Sequence, residues 1–175
     1  GGLGFIGSHT SIPLLQENHN LTILDSFINS SYTVEKRIKA IFSKNNFEIT
    51  DSLKIIKGDI RNFSLLMKIF NDAEEEGKPI DCVIHLAGKK SVIESKENPL
   101  TYWSNNVSGT ITLLSVMENF KCRNIVFSSS ATIYGESKKM PLKESFAIKP
   151  ISTYGKTKSS VEQILKELYY SSSEK

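Results

Sequence analysis

Two cysteines in 175 residues, Cys82 and Cys122, supply neither a disulfide framework nor a metal-ligand spacing. Cys82 lies in an apolar, strand-like run, which predicts a buried, reduced thiol. Apolar runs are short: Ile111 to Met117 is among the longest, far below the ~20 residues that cross a bilayer. No signal-peptide pattern opens the chain, so a cytoplasmic protein is expected. No Lys/Arg block resembles a nucleic-acid arm. The 22 basic and 19 acidic residues are interspersed, and a net charge of +3 carries no partner signal. Internal repeats and low-complexity segments are also lacking. What is present, 39% hydrophobic and 23% charged residues, is the composition of an ordinary soluble domain long enough for a sizeable core.

Apolar runs alternate with helix-period patterns along the chain. Helices are expected over Phe5–Gln16, Thr33–Ser43, Phe63–Glu76, Pro99–Phe120 and Ser152–Tyr170, and strands over Asn20–Leu24, Leu53–Lys57, Asp81–Leu86 and Asn124–Ser128. On the second helix Val34, Ile38, Ile41 and Phe42 share a face; on the third, Leu66, Ile69, Phe70 and Ala73 recur at helical spacing. Gly77-Lys78-Pro79 breaks that third helix. Strands alternating with such helices predict a Rossmann-type, doubly wound α/β fold: a parallel sheet with right-handed crossovers. The continuous apolar runs Val83-Ile84 and Ile125-Val126-Phe127 predict strands covered on both faces. Pro13 conflicts with the first helix, where a missing N–H and a steric clash cost about 3 kcal/mol, so a kink or a later helix start is expected.

The chain opens directly on Gly1-Gly2-Leu3-Gly4-Phe5-Ile6-Gly7, a turn that ordinarily follows a buried strand, so it is expected to be cut there. Gly2, Gly4 and Gly7 fit G-x-G-x-x-G, and Gly1, Gly4 and Gly7 fit the related G-x-x-G-x-x-G. Such glycines permit a tight turn, close approach to a pyrophosphate and close helix packing, while the helix N-terminus offers free N–H groups. Asp25 stands at the next strand's end, 18 residues after Gly7, near the offset of a ribose-binding carboxylate. A carboxylate there accepts from a 2′-hydroxyl and repels a 2′-phosphate, so NAD is expected over NADP. Asp59, ending the following strand, is placed to border the adenine. Lys36 and Arg37 read as helix-surface charge, and His85 as a packed strand histidine.

Ser128-Ser129-Ser130-Ala131-Thr132 ends the strand that begins at Asn124, placing hydroxyls at its carboxyl end. Downstream, Tyr154 and Lys158 are four apart and share a helix face. A tyrosine with a reference pKa of about 10 is a poor base at neutral pH, and a nearby ammonium favours its phenolate. The tyrosinate can then take a proton from a substrate hydroxyl while hydride leaves the same carbon for the cofactor, with the serine orienting that oxygen.

Taken together these residues resemble the extended short-chain dehydrogenase/reductase superfamily, and within it the family of UDP-glucose 4-epimerases. The stretches that carry the likeness are residues 4–10, 24–30, 58–61, 85–95, 105–107, 127–135 and 154–158, from Gly1 to about Leu168. The resemblance implies that Phe5 and Ile6 present backbone to the pyrophosphate, that Asp25, Ser26, Asn29 and Ser30 hold the adenosine ribose region, and that Asp59 and Ile60 flank adenine. It implies that Leu86, Ala87, Gly88 and Lys90 line the cofactor's path and that Asn105 adds a polar contact. Ser130 and Tyr154 would face the sugar, and Lys158 would contact the nicotinamide ribose and tune Tyr154. The implied reaction is oxidation at C4 of a UDP-hexose, rotation of the 4-keto sugar and return of hydride, in galactose metabolism. It also implies a homodimer through the helices over 99–120 and 152–170.

The family pattern is broken at two positions: Ser26 stands where asparagine is expected, and Ile93 where glycine is usual. By the same resemblance, a first strand and a carboxyl-terminal UDP-binding half are absent, leaving residues 1–175 as a partial NAD-binding domain expected to be inactive alone. That half would also hold the residues that discriminate a 2-hydroxyl from an N-acetyl group. A nucleotide-sugar 4,6-dehydratase is the nearest rival, but it would place an Asp-Glu pair where Ala131-Thr132 stands. A decarboxylase, another sugar epimerase and a non-catalytic NAD-binding module are the remaining alternatives; the last commonly loses the tyrosine or lysine retained here.

Overall fold

Alternating apolar runs and amphipathic segments fold as the periodicities dictate. The computed structural model describes residues 1–44, 49, 51–137 and 140–173. They form two units, Gly1–Ala87 with Thr112–Phe127, and Gly88–Ile111 with Ser128–Lys175.

In the first unit, β1 (Leu21–Asp25) pairs in parallel with β2 (Leu53–Lys57), setting Leu21 opposite Leu53 and Asp25 opposite Lys57. The strands β3 (Cys82–His85) and β4 (Asn124–Phe127) pair likewise, Cys82 opposite Asn124 and His85 opposite Phe127. The two pairs are separate sheets among the described residues. The Gly1 nitrogen donates to the Leu24 carbonyl at 2.7 Å, and a Cβ on Gly1 would lie 2.6 Å from the Ala87 nitrogen. Residues 1–3 therefore run between the carboxyl ends of β1 and β3.

Around β1–β2, α1 (Phe5–Gln16) and α2 (Tyr32–Ser43) bury Leu15, Ile38 and Phe42 with Leu3, Ile23 and Leu53. Ser31 caps α2, its hydroxyl accepting from the Thr33 N–H. The second core joins Leu66, Ile69, Phe70 and Ile60 to Leu113, Val116, Met117 and Cys122, drawing on α3 (Phe63–Glu75), capped by Asn62, and on the later turns of α6 (Gly109–Asn119). Each large side chain so buried is worth about 1.5–3 kcal/mol, which is why the 3.6-residue spacing of these positions fixes the helices.

Three expectations are corrected in this unit. Cys82 is exposed, because it is the first residue of a four-residue strand and alternates onto the same face as Ile84. That face is open: Ile84 and Val126, opposite one another in register, are 38% and 57% exposed, while their neighbours Val83 and Ile125 pack on the core. The apolar runs thus do not report two covered faces here. Helix α1 begins at Phe5 and runs through Pro13, so the later start is not seen, although Pro13 supplies no i→i−4 N–H.

The second unit is helical. The helix expected over 99–120 is three continuous pieces: α5 (Pro99–Tyr102), a π-helical turn (Trp103–Ser108), and α6, whose first residues belong to this unit. A short helix, α4 (Val92–Glu97), precedes them, capped by Ser91 and closed at Asn98 because Pro99 follows. Periodicity missed α4, since six residues are too few to show a period. Ile93 lies within it, 74% exposed in helical backbone, so the family's glycine has no conformational role to fill there. A 3₁₀ turn (Ala131–Tyr134) leads toward α7 (Thr153–Ser173), which packs against α4, α5, the π turn and the 3₁₀ turn. No described helix is long and apolar enough to cross a membrane.

Candidate active site

The glycine turn is built by close approach. A Cβ on Gly7 would lie 2.5 Å from the Gly2 carbonyl oxygen, and the Gly4 N–H donates back to the Gly1 carbonyl at 3.2 Å. Helix α1 then starts at Phe5 with no side-chain cap on Gly4 and no acidic residue in its first turn. Its first N–H groups and positive dipole end are therefore left for an anion. Phe5 and Ile6 are 79% and 57% exposed, so apolar side chains flank that opening without contributing to the core.

Asp25 ties this turn to β1. One carboxylate oxygen accepts the Leu3 N–H at 2.9 Å; the other accepts the Phe27 N–H at 2.9 Å and the Ser30 hydroxyl at 2.8 Å. Burial opposes its charge, while the hydrogen bonds from Phe27, Leu3 and Ser30 favour it. Phe27 sits in the left-handed region at φ 59°, unusual for a bulky residue, and its ring stacks on Tyr32 at 4.1 Å. Ser30 thus joins Asp25 directly, whereas Ser26 is half-buried and Asn29 exposed.

At the end of β2, the Asp59 carboxylate is held by the Arg61 guanidinium, with contacts of 2.6 and 3.0 Å, and by the Arg61 N–H. The Arg61 hydrogen bonds outweigh burial and keep its carboxyl low. Ile60 is buried in the core, so only its backbone is free to border a ligand. Lys36 and Arg37 lie exposed on α2, and His85 is buried with its ring 5.6 Å from that of Phe127, as a packed histidine. Leu86 and Ala87 complete this unit's share, both half-buried.

In the second unit the chain turns through Gly88, Lys89 and Lys90. A Cβ on Gly88 would stand 3.3 Å from Asn106 Oδ1 and 3.6 Å from Lys158 Nζ. Asn106 organises this turn. Its amide accepts the Lys89 N–H at 2.8 Å and donates to the Lys89 carbonyl and to Thr157 Oγ1, both at 3.0 Å. Thr157 in turn donates to the Tyr154 carbonyl at 2.7 Å, so the turn and α7 are laced together by one 3%-exposed amide. No local signal singled out this amide; the Thr110 hydroxyl, which donates to the Asn106 carbonyl one turn back, would do so to any residue there.

Helix α7 carries Tyr154 and Lys158 on successive turns. Its start is fixed by Ser152, whose hydroxyl accepts the Gly155 N–H at 3.0 Å, and by Gly155, where a Cβ would lie 2.8 Å from the Thr132 carbonyl oxygen. Ser130 Oγ accepts from both the N–H and the hydroxyl of Thr132, at 3.2 and 2.9 Å. With its acceptor sites engaged, the Ser130 hydroxyl keeps its own proton to donate. Lys158 is 5% exposed and donates to the Ser128 carbonyl at 2.7 Å; burial lowers its ammonium to about 8. The neighbouring Ser129 Oγ is buried without a hydrogen-bond partner among the described residues. No cluster of three or more metal-ligating side chains occurs among the described residues.

Among proteins of known identity, this chain is 41% identical over 174 residues to UDP-glucose 4-epimerase 2 of Arabidopsis thaliana. It is 40% identical over 168 residues to the bifunctional UDP-glucose 4-epimerase and UDP-xylose 4-epimerase 1 of Pisum sativum. These alignments cover 99% and 96% of this chain but 47% and 46% of the relatives. The chain therefore spans about half the length of the curated relatives it matches. The crystal structure of UDP-glucose 4-epimerase from Bifidobacterium longum in complex with NAD+ and UDP superposes with a TM-score of 0.87 at 36% identity, over 97% of this chain and 48% of that one. The Stenotrophomonas maltophila enzyme, with bound NAD and formylated UDP-arabinopyranose, gives 0.85 at 36% identity over 98% and 47%. The family described as GDP-mannose 4,6 dehydratase matches residues 1–174. It is to this family that the chain belongs.

Proposed function

We propose that this protein interconverts the C4 epimers of a UDP-hexose, UDP-galactose and UDP-glucose, using NAD that it retains. The observation that carries the reading is the second unit's proton-transfer set: Ser130 with a free hydroxyl proton, Tyr154, and Lys158 one turn on. The uncapped, close-packed glycine turn fits a dinucleotide pyrophosphate, which a Cβ on Gly7 would disturb. Asp25 and Ser30 offer oxygens for ribose hydroxyls, and Asp59 a charged border for the adenine. Lys90, Asn105 and the backbone of Leu86, Ala87 and Gly88 would line the remainder of the cofactor's path.

Bound NAD would supply the hydride acceptor and donor. The rest is the work of the chain. Tyr154 takes the proton of the C4 hydroxyl and later restores it, Ser130 donates to that oxygen, and Lys158, an ammonium below about pH 8, supplies the positive charge one turn on. Ala131 and Thr132 follow Ser130 directly in the 3₁₀ turn, leaving no carboxylate there to eliminate water; this favours epimerisation over dehydration.

The relatives' substrates support the choice of UDP-sugar, and their additional length is where a UDP-binding half would lie. We place the protein in the cytoplasm and as a homodimer through the helices over 99–120 and 152–170. Leu100, Ile111, Tyr169 and Tyr170 are exposed on those helices. The 175 residues by themselves would be marginally stable and inactive, since each sheet among the described residues has two strands. Turnover by this chain alone would overturn that statement.

The test uses the full-length gene product, incubated with UDP-galactose without added NAD while UDP-glucose is followed. Turnover that vanishes in Tyr154→Phe is expected. A folded protein with bound NAD and no turnover would overturn the galactose assignment, and parallel incubation with UDP-N-acetylglucosamine would show whether N-acetylated sugars are accepted.

A further inference from the structure

The turn after β3 carries two adjacent lysines, and they are treated differently. Lys89 is held by backbone and side chain together: Asn106 takes its N–H and carbonyl, and its ammonium donates to Glu94 Oε1 at 2.8 Å. The other oxygen of Glu94 accepts the Tyr102 hydroxyl at 2.9 Å, and the Lys89 ammonium stands 5.7 Å from the centroid of the Tyr102 ring. Tyr102 is fully buried at the end of α5, so this anchor is rigid. Ser91 fixes the other end, its hydroxyl accepting the Glu94 N–H at 3.2 Å as the cap of α4. Lys90, the next residue, is exposed and has no ion-pair partner among the described residues.

A half-exposed ion pair contributes little to stability, so the reason for this one lies in geometry. Glu94 ties the Lys89 ammonium to the buried Tyr102, and Asn106 ties the Lys89 backbone, so both ends of this residue are fixed. The turn from which the free Lys90 ammonium projects is thereby held in one conformation.

We propose that Glu94 is a positioning residue: clamped on Tyr102, it anchors Lys89 and so fixes the Gly88–Lys90 turn in the conformation that presents the Lys90 ammonium to the anionic dinucleotide. The inference rests on the NAD-dependent reading given above. Glu94 touches no ligand itself and acts through Lys89.

The experiment measures NAD affinity, thermal stability and amide hydrogen exchange on the full-length protein for Glu94→Gln, Lys89→Met, Lys89→Arg and the Glu94→Gln/Lys89→Met double variant. Expected are a roughly five- to tenfold weaker NAD affinity in each of the first two, no further loss in the double variant, and wild-type affinity in Lys89→Arg, which keeps the cation. Exchange at the Lys89 amide should quicken in Glu94→Gln while the melting temperature stays within about 2 °C of wild type. Additive losses in the double variant, or unchanged affinity in Glu94→Gln, would overturn the inference and leave the functional reading standing. A wild-type protein that binds no NAD would overturn that reading, and this inference with it. If Glu94→Gln lowers stability sharply, Lys89→Met decides by the same affinity criterion.

Discussion

The Leu3 N–H donates to the carboxylate of Asp25 at 2.9 Å, joining the glycine turn to the end of β1 across 22 positions of sequence. The residue expected to meet a ribose is thus also the one that sets the turn beneath the phosphates. The same carboxylate holds the N–H of Phe27 in the left-handed region. Replacing Asp25 by alanine strands the Leu3 and Phe27 N–H groups together. A loss of about 2–4 kcal/mol in urea denaturation is expected, accompanied by loss of NAD binding. Asp25→Asn keeps the shape without the charge and should lose less stability than affinity; the reverse order would assign Asp25 a purely structural part.

Gly7 faces the Gly2 backbone too closely for any side chain. Gly7→Ala must push α1 away from the turn, at a cost of about 1–3 kcal/mol. Retention of NAD after gel filtration, read from absorbance, should fall to background. Full retention would show that the turn tolerates the displacement.

Asn106 offers one amide to three groups, and Asn106→Leu would leave the half-buried Lys89 N–H and carbonyl without that partner. At about 1–3 kcal/mol for each such group, thermal denaturation should register a clear drop. The loss in kcat should exceed the change in KM, because both the Gly88 turn and the Tyr154 helix lose their shared tie. An unchanged kcat in a folded variant would separate this amide from the chemistry.

Lys158 gives a pH dependence of definite sign. Below about pH 8, folded and unfolded chains both carry the ammonium, and the fold bears the whole cost of burying it. Between about pH 8 and the unfolded value near 10.4, the folded state has shed the proton while the unfolded state still binds it, so this group's share of stability rises with pH. Lys158→Met should therefore gain about 1–2 kcal/mol at pH 7, the relieved desolvation less about one hydrogen bond to Ser128, while losing activity. That gain should shrink toward pH 10 in urea titrations. A variant destabilised equally at pH 7 and pH 10 would contradict the assigned cause.

Local signals in the sequence determined the four strands and most of the helices, and named the candidate residues of the site. Leu66, Ile69, Phe70 and Ala73 recur at the helical period and are all buried; Gly1 to Gly7, Asp25, Ser130, Tyr154 and Lys158 follow from motif spacing and the chemistry of their side chains. Tertiary structure alone decided what each group does with its spare hydrogen bonds. Asn106 takes the turn after β3; Arg61 claims Asp59; and Ile84 and Val126 stay exposed among the described residues. The reason is physical. Periodicity and motif report which residues can pack or react, and these are properties of short stretches. Which donor meets which acceptor, and which face is covered, depends on contacts between residues 17 to 51 positions apart, such as Asn106 with Lys89 and with Thr157, and no local pattern encodes them.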